Sequence, residues 1–465
     1  MHAITPDSIS IDKSVEFQMA PSIRRLWKIG ALSAAFISLS ACVGGGGSND
    51  SDNDEEQNKG KYETPVIILD GSKFSAESLT AMAVADFNQD GFDDFVGART
   101  SGFRSGPATE LLLMINDKNG SLTDQTAALV DGPIPTFFWS RDVHVGDFNG
   151  DNKPDIFFSN HGKEPLTGPS TWSCEQNTLL LSQPNGKLKD VTSTHLPARF
   201  DFSHGSSIAD IDADGDLDIW VTNLGCGTTI LGYLLRNDGN GMFTDIAGLD
   251  HRNGILPADF KRVFWSQFID INSDGYGDLF YTDLADNNLL FNNGNGSFSV
   301  VDDTSIPDAV GTVTTQGSKV ADLNNDGFDD LVLFQTDASY SPGFSLQILI
   351  HDGNSGFTDE TSELLPPQNS TTAVGFPALW IGDINGDNSI DIMVRLHGEG
   401  FQGDNITDFY LNDGAGKFTE LSADQLPPIL PDFAPIDVNN DGKVDFIFKG
   451  FDSAGRPSMM LSLAR

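Results

Sequence analysis

Seven short acidic segments with the pattern D-x-[D/N]-x-D-[G/N]-x-x-D recur along the 465-residue chain. Each segment places a carboxylate at its first, fifth and ninth positions and an Asp or Asn at its third. Side chains of like charge this close together repel one another unless a cation neutralises them. Hard cations such as Ca²⁺ take about six to eight oxygen ligands in flexible geometry, so the segments predict calcium loops.

The predicted calcium ligands are the side chains at positions 1, 3, 5 and 9, for up to seven structural ions. They are Asp86, Asn88, Asp90, Asp94, Asp147, Asn149, Asp151, Asp155, Asp210, Asp212, Asp214, Asp218, Asp270, Asn272, Asp274, Asp278, Asp322, Asn324, Asp326, Asp330, Asp383, Asn385, Asp387, Asp391, Asp437, Asn439, Asp441 and Asp445. Position 6 must turn sharply; it is Gly in five segments and Asn152 or Asn388 in the others, the residue types that best tolerate a left-handed backbone. A plain turn would need the glycine but not three converging acids, and the flanking strands exclude an EF-hand.

The elements that must position these loops are short strands. The last Asp of each segment opens an apolar run, such as Ile156–Phe158, which is typical of a strand buried on both faces. A second run, a turn such as Asn237–Gly241 and a Phe-Thr-Asp/Glu strand follow, and Asn and Gly supply the positive φ of that hairpin. With the strand that leads into the loop, each repeat contains four strands.

The repeats start 61, 63, 60, 52, 61 and 54 residues apart, which predicts an all-β fold, a seven-bladed β-propeller of four-stranded antiparallel blades. Solenoid repeats are usually shorter and need polar end caps. The last repeat stops at its third strand, Met459–Leu463, and the strand Pro65–Leu69 ahead of the first loop can supply the missing fourth. That closure leaves no unpaired sheet edge, and it makes residues 62–465 one domain.

The repeat resembles the FG-GAP/VCBS family, whose best-known members are the calcium-loaded propellers at the head of integrin α chains. Asp94–Ala98 is similar to the family's Gly-Ala strand, and the missing Phe-Gly half favours the bacterial VCBS branch. The resemblance covers residues 62–465. It implies a calcium-binding module for adhesion or recognition of proteins or glycans, without naming the ligand, because the fold hosts many functions.

The first 61 residues are predicted to lie outside the propeller. Arg24, Arg25 and Lys28 precede an apolar run, Ile29–Leu39, that is too short to span a bilayer and is typical of a signal peptide. The run ends in Leu39-Ser40-Ala41-Cys42, which resembles the bacterial lipobox and implies a signal peptide over 1–41 and lipidation of Cys42. Residues 1–18 are long for the basic region, so Met19 is a candidate start.

Residues 42–61 form a Gly-rich and then acidic stretch, which predicts a flexible linker between lipid and propeller. Val43, rather than Asp, follows the cysteine, and the lipoprotein resemblance therefore implies the outer membrane, on its periplasmic or surface side. Membrane contact through the lipid alone is the expectation.

Composition excludes one class of partner. Asp and Glu number 67 against 27 Lys and Arg, and the net charge of −40 repels nucleic acid. Besides Cys42, the chain contains Cys174 and Cys226, which form one bridge in an exported compartment or remain two free thiols.

A ligand surface is predicted on the face opposite the calcium loops. Candidate ligand-binding residues are Trp139, Arg141, Trp172, His204 and Trp265, because aromatic side chains with a few polar groups suit sugar or protein contacts. Alternatively, these aromatics pack between blades. No catalytic residue is assigned, since nucleophile-elbow, zinc-protease and phosphate-loop motifs are missing from the sequence. The alternative function is a polysaccharide-binding or lyase-like propeller, with Arg141 and His204 as the candidates for chemistry.

Overall fold

The computed structural model describes most of the chain after residue 61. The described residues are 62–74, 78–101, 106–163, 173–223, 232–246, 255–256, 263–282, 286–301, 305–308, 313–337, 344–368, 376–397, 406–422, 425–426 and 432–464. Cys42 and the predicted signal peptide and linker lie outside them. Among the described residues, no helix has the length and apolar character needed to cross a membrane.

Seven antiparallel sheets of blade type make up the fold, and the all-β prediction is confirmed. Blade 1 contains β2 (Ser78–Ala85), β3 (Asp94–Thr100), β5 (Leu112–Asn116) and β6 (Leu122–Asp124), and blade 2 contains β9 (Ser140–Gly146), β10 (Asp155–Asn160), β11 (Thr178–Ser182) and β12 (Leu188–Asp190). Blade 3 contains β13 (Ser203–Ala209), β14 (Asp218–Asn223), β15 (Tyr233–Asn237) and β16 (Phe243–Asp245), and blade 4 contains β17 (Trp265–Ile269), β18 (Asp278–Thr282), β19 (Asn287–Asn292) and β20 (Phe298–Val300). Blade 5 contains β21 (Val313–Ala321), β22 (Asp330–Asp337), β23 (Phe344–His351) and β24 (Phe357–Asp359), and blade 6 contains β25 (Phe376–Gly382), β26 (Asp391–His397), β27 (Ile406–Asn412) and β28 (Phe418–Glu420).

Blade 7 joins the two ends of the described chain. It contains β29 (Phe433–Ile436), β30 (Asp445–Phe451) and β31 (Pro457–Ser462), and its fourth strand is β1 (Val66–Leu69). β1 pairs antiparallel with β31, with Val66 opposite Leu461 and Leu69 opposite Met459. The predicted closure of the ring is therefore confirmed, and β31 gains a partner for its outer edge.

The hydrophobic core lies between the faces of neighbouring blades, and the first strands surround a central channel. Phe157 and Leu179 of blade 2, for example, pack in one cluster with Ile208 and Ile219 of blade 3. Each second strand carries apolar side chains on both faces because it is covered from both sides. β2, β9, β13, β17, β21 and β25 contact one another in sequence, and β29 of blade 7 contacts β2 of blade 1.

Among the described residues, three single-turn helices follow the fourth strands of blades 1, 2 and 5, an element that strand periodicity does not reveal. They are α1 (Thr126–Leu129), α2 (Thr192–His195) and α3 (Thr361–Leu364). Each begins at a Thr whose N–H donates to the Asp two residues earlier, as in Thr126 to Asp124 at 3.0 Å. The hydroxyl of the same Thr accepts an N–H from the third strand. The signal for these turns is the short motif Asp-x-Thr.

Two further pairings extend blades 1 and 2. β7 (Val130–Asp131) adds to blade 2 in parallel with β12, and β4 (Thr109–Glu110) pairs with β8 (Thr136–Phe137). Both connect blade 1 to blade 2 outside the four-stranded pattern.

Candidate functional site

The seven acidic segments form loops of one conformation, each joining the first strand of a blade to its second. In blade 3, the Asp210 carboxylate accepts the N–H groups of Asp214 at 3.1 Å and Gly215 at 3.0 Å. The Asp214 carboxylate accepts the N–H of Asp216 at 3.1 Å. The same bonds recur at the corresponding positions of the other six loops. The first and fifth carboxylates are therefore held in the same way in every blade.

Two residues of each loop have a left-handed backbone. The sixth does so as predicted, with φ from 60° at Asn152 to 98° at Gly215. The fourth is left-handed as well, even where it is Gln89, Ala213 or Ser273, with φ of 58°, 61° and 58°. A side chain in this region costs about 1 kcal/mol or more, so the loop's hydrogen bonds must impose the conformation. The residue types at position 4 do not indicate it.

The ninth Asp of each loop is buried at the start of the second strand. In blade 3, Oδ2 of Asp218 accepts the N–H of Ile211 at 3.1 Å, and Oδ1 accepts the N–H of Asn237 at 2.8 Å. This carboxylate therefore ties the loop to the third strand. The equivalent residues with the same two bonds are Asp94, Asp155, Asp278, Asp330, Asp391 and Asp445.

Burial raises the pKa of all seven ninth-position carboxyls to about 7 in the metal-free protein. The backbone N–H bonds oppose the rise, and the neighbouring loop carboxylates add to it. A cation in the loop would reverse the balance, because it favours the ionised form.

In the blade 3 loop, three carboxylates lie close enough together to share one metal ion. Oxygens of Asp210, Asp212 and Asp218 lie within 4.8 Å of one another, a spacing that could hold one metal ion. Oδ1 of Asp212 is buried and accepts no hydrogen bond. Other loops carry Asn at position 3. In blade 4, for example, Nδ2 of Asn272 donates to the carboxylate of Asp274 at 3.0 Å. Asp212 has no such donor and offers only oxygens to a cation. The donor set fits a hard cation.

Four of the five predicted ligand-binding residues lie in the described part of the chain, and none of these four is fully exposed. Trp139 and His204 are each only 4% exposed, and Arg141 and Trp265 are half-buried. Trp139 and His204 thus pack between blades, as the alternative interpretation has it, and their part in binding a ligand stays a prediction. Trp172 and Cys226 lie outside the described residues, and Cys174 is in a disulfide bond.

These side chains belong to a row of rings at the start of the first strands. The Trp139 ring lies 4.5 Å from His161, His161 lies 5.3 Å from His204, and His204 lies 4.7 Å from Phe264. Arg141 places its guanidinium 5.3 Å from the Trp139 ring and 3.0 Å from Nε2 of His204. Because Arg can only donate, Nε2 of His204 accepts this bond.

Sequence comparison identifies the repeat. The model of the FG-GAP-like repeat matches residues 86–158, 270–333, 322–394 and 383–448, more than half of the chain. The protein belongs to the FG-GAP-like repeat family. Each matched stretch begins at the first Asp of one loop and ends in the second strand of the next blade, so it spans one complete repeat unit.

Comparisons of whole chains add two distant neighbours of the FG-GAP-like propeller. A lectin from Agrocybe aegerita, known for specific recognition of non-reducing terminal N-acetylglucosamine, is 16% identical with a TM-score of 0.43, over 83% of this chain and 86% of that chain. Rhamnogalacturonan lyase PL11 from Bacillus licheniformis is 11% identical with a TM-score of 0.38, over 86% of this chain and 75% of that chain. No curated protein matches the sequence.

Successive FG-GAP-like repeats are joined by a side chain at the end of the third strand. Asn292 of blade 4, for example, donates from Nδ2 to the carbonyl of Ile211 in the blade 3 loop at 2.9 Å. Its Oδ1 accepts the N–H of Gly294, so the amide also shapes the turn. The equivalent links start from Asn116, Asn237, His351 and Asn412. The sequence pattern indicates the turn but not the bond to the neighbouring blade.

His351 replaces the usual Asn at this position and tests the link. Its Nε2 lies 2.6 Å from the Ile271 carbonyl, and its Nδ1 accepts the N–H of Gly353 at 2.9 Å. We expect His351→Asn to preserve stability, because Asn makes both bonds in four other blades. His351→Ala should cost about 2–3 kcal/mol, since it leaves a buried carbonyl without a donor and opens a cavity. Urea unfolding in calcium measures both variants, and equal losses would contradict the proposed equivalence.

The raised pKa values predict how pH and calcium act together. The ninth-position carboxyls have a pKa of about 7 when folded, against an ordinary value near 4, so the metal-free fold loses stability as pH rises through this range. Calcium binding requires the ionised carboxylates and releases their protons. We therefore expect calcium to raise the melting temperature more at about pH 8 than at about pH 5. Calorimetry at both pH values, with and without calcium, would contradict this if the two shifts were equal.

Proposed function

We propose that this protein is a calcium-stabilised recognition propeller, which binds a protein or glycan while tethered to the cell envelope by a lipid at Cys42. The observation that carries the calcium part is the blade 3 loop, with three carboxylates within 4.8 Å and a buried oxygen of Asp212 that accepts no hydrogen bond. The shared backbone of the other six loops supports extending the assignment to every blade.

Charge supports the same conclusion. The chain has a net charge of −40, and many of its acids lie in the seven loops at one end of the blades. One divalent ion per loop would remove 14 units of that negative charge. Without cations, the loop carboxylates would repel one another and oppose folding.

A recognition role fits the placement of the proposed calcium sites. The loop carboxylates accept backbone N–H groups of their own blade, so a bound ion would hold strands together. The opposite end of the channel is then free to bind a partner, and rigid blades can carry variable connections there.

Calcium titration by calorimetry of residues 62–465 tests the metal. We expect binding of up to seven ions and little response to magnesium, which prefers a tighter octahedral shell. Two substitutions in blade 6 serve as a test and its control. Asp387→Asn, in the calcium loop, should remove one ion. Asp413→Asn, in the turn at the same end of the blade, should remove none. Undiminished stoichiometry in Asp387→Asn, or no heat in the parent protein, would refute the assignment.

Ligand recognition is tested by applying the calcium-loaded protein to arrays of glycans and envelope proteins. We expect binding that disappears with excess chelator and returns with calcium, without release of cleaved products. Product release would instead assign a degrading activity, and a lack of binding in calcium would remove recognition from the proposal.

The anchor is tested by metabolic labelling of the full chain with radioactive palmitate in a bacterial host. We expect label in the parent protein and in Cys174→Ser, but not in Cys42→Ser, because the acyl chains attach to the lipobox cysteine. Label retained by Cys42→Ser would refute lipidation at this residue.

A further inference from the structure

The central channel contains a small cavity that neither the loops nor the repeat motif explains. Its volume is about 90 Å³, and first strands from five blades contribute to its wall. The lining residues that matter for the argument are Arg141, Asp142, Trp265, Gly317 and Lys319. A single buried water needs roughly 10–15 Å³ of cavity volume. The cavity therefore accommodates several waters or a small polar group.

The cavity has a local charge opposite to that of the protein. Arg141 from blade 2 and Lys319 from blade 5 both line it, together with the carboxylate of Asp142. The chain has only 27 Lys and Arg residues against 67 acids, so two cations in one cavity are a marked departure from its composition. Salt screens partly buried charges much less than exposed ones, so the charges of the lining side chains act strongly on a ligand in the cavity.

Asp142 is already engaged by its own surroundings. Its Oδ2 accepts the N–H of Ser206 at 3.0 Å and lies 3.1 Å from Nε2 of His144, and its Oδ1 accepts the N–H of Val143 at 3.0 Å. Although burial opposes ionisation, the adjacent His144 and the charge of Lys319 hold the pKa of Asp142 below its ordinary value. Burial lowers the pKa of Lys319, and the Asp142 carboxylate opposes that shift. Asp142 therefore balances part of the charge of Lys319, and with Arg141 beside them the cavity lining carries two cationic side chains against one carboxylate.

The cationic and aromatic groups are held in place before any ligand arrives. Arg141 is fixed by His204 and by the face of Trp139, as described above. The Trp265 ring covers Gly205, where a Cβ would come within 2.7 Å of it, and Nε1 donates to Oγ of Ser318 at 2.8 Å. Preorganised groups lose little entropy on binding, and an indole face suits the apolar side of a sugar ring.

We propose that this channel cavity binds the carboxylate of a small acidic ligand, such as a sugar acid, between Arg141 and Lys319, with Trp265 against the ligand's apolar face. The inference rests on the proposed recognition function and names its ligand class. A carboxylate suits the site because a guanidinium binds it through parallel hydrogen bonds and an ammonium adds a point charge. The cavity is too small for a whole polysaccharide, so only an end or a single unit enters.

Gly317 provides a test that leaves the charges untouched. A Cβ at this residue would meet nothing within 4 Å, and the residue lines the cavity. Gly317→Val therefore fills the space where the ligand would lie. Lys319→Met removes one cation, Lys319→Arg keeps the charge, and Lys189→Met removes an exposed cation from β12 as a matched control.

The experiment titrates glucuronate, glucose and acetate into calcium-loaded residues 62–465 and into each variant, with binding followed by calorimetry. We expect glucuronate to bind and glucose to bind at least ten-fold more weakly. Lys319→Met should weaken glucuronate binding at least ten-fold, Gly317→Val should abolish it, and Lys319→Arg and Lys189→Met should retain it. Melting curves in calcium establish that each variant is folded, and Gly317→Val remains decisive if Lys319→Met does not fold.

The outcomes separate this inference from the function on which it rests. Equal binding of glucose and glucuronate, or glucuronate binding unchanged in both Lys319→Met and Gly317→Val, would overturn the carboxylate site. Acetate binding with the same variant pattern would support the carboxylate pocket and assign it to small free acids. If the parent protein binds array ligands in calcium but does not bind glucuronate, only the cavity proposal is refuted. If it binds neither, the recognition function itself is refuted.

Discussion

Excess chelator should lower the melting temperature of residues 62–465 by roughly 10 °C, the largest solution effect that the structure predicts. If free calcium is about ten times the dissociation constant, each ion adds about 1.4 kcal/mol to the folded state. Seven independent ions would add roughly 10 kcal/mol, comparable to the whole net stability of a domain. In a domain of this size, about 1 kcal/mol of stability corresponds to about 1 °C in the melting temperature.

The reason for so large an effect is that each loop joins three parts of its blade. Asp210 fixes the turn through Asp214 and Gly215, while Asp218 fixes the loop to the third strand at Asn237. An ion bound between Asp210 and Asp218 would neutralise both and hold the strands together. Scanning calorimetry with millimolar calcium, then with chelator, then with calcium restored measures the effect. Identical melting curves with and without calcium would mean that the loops are only turns.

Removing β1 should open the ring, the second large effect. The comparison is between residues 62–465 and residues 71–465, two chains that differ only in the segment containing β1, which pairs with β31. The shorter chain should lose roughly 5 kcal/mol, because burial of Leu69 contributes about 2 kcal/mol and each lost ladder hydrogen bond about 1 kcal/mol. Tyr62 would also leave the Phe446 ring, which lies 5.5 Å away.

The exposed edge of β31 should then change the behaviour in solution. Met459, Met460 and Leu461 would present unpaired backbone groups beside apolar side chains, a template for pairing with a second copy. We expect the shorter chain to dimerise or aggregate in light scattering, whereas the longer chain stays monodisperse. Equal melting and equal scattering for the two chains would show that blade 7 is stable with three strands.

Local patterns made the fold predictable. The nine residues of a loop such as Asp210–Asp218 fix their own turn through bonds within the loop, so residue type and spacing are enough to predict it. The glycine at position 215 likewise predicts a left-handed backbone, because few other residues adopt that conformation readily. Repetition then gave the number of blades, and the leftover strand at residues 66–69 gave the closure.

Residue types and their spacing were therefore enough to predict the all-β repeat, the seven loops and the position of the seam. The side-chain contacts between blades could not be predicted in this way: Asn292 reaches the Ile211 carbonyl, His161 packs against His204, and Arg141 shares a cavity with Lys319. The physical reason is that turns and strand periods are set by neighbours in the chain. Contacts between blades depend instead on how far apart and at what angle the finished sheets pack, which no local pattern contains.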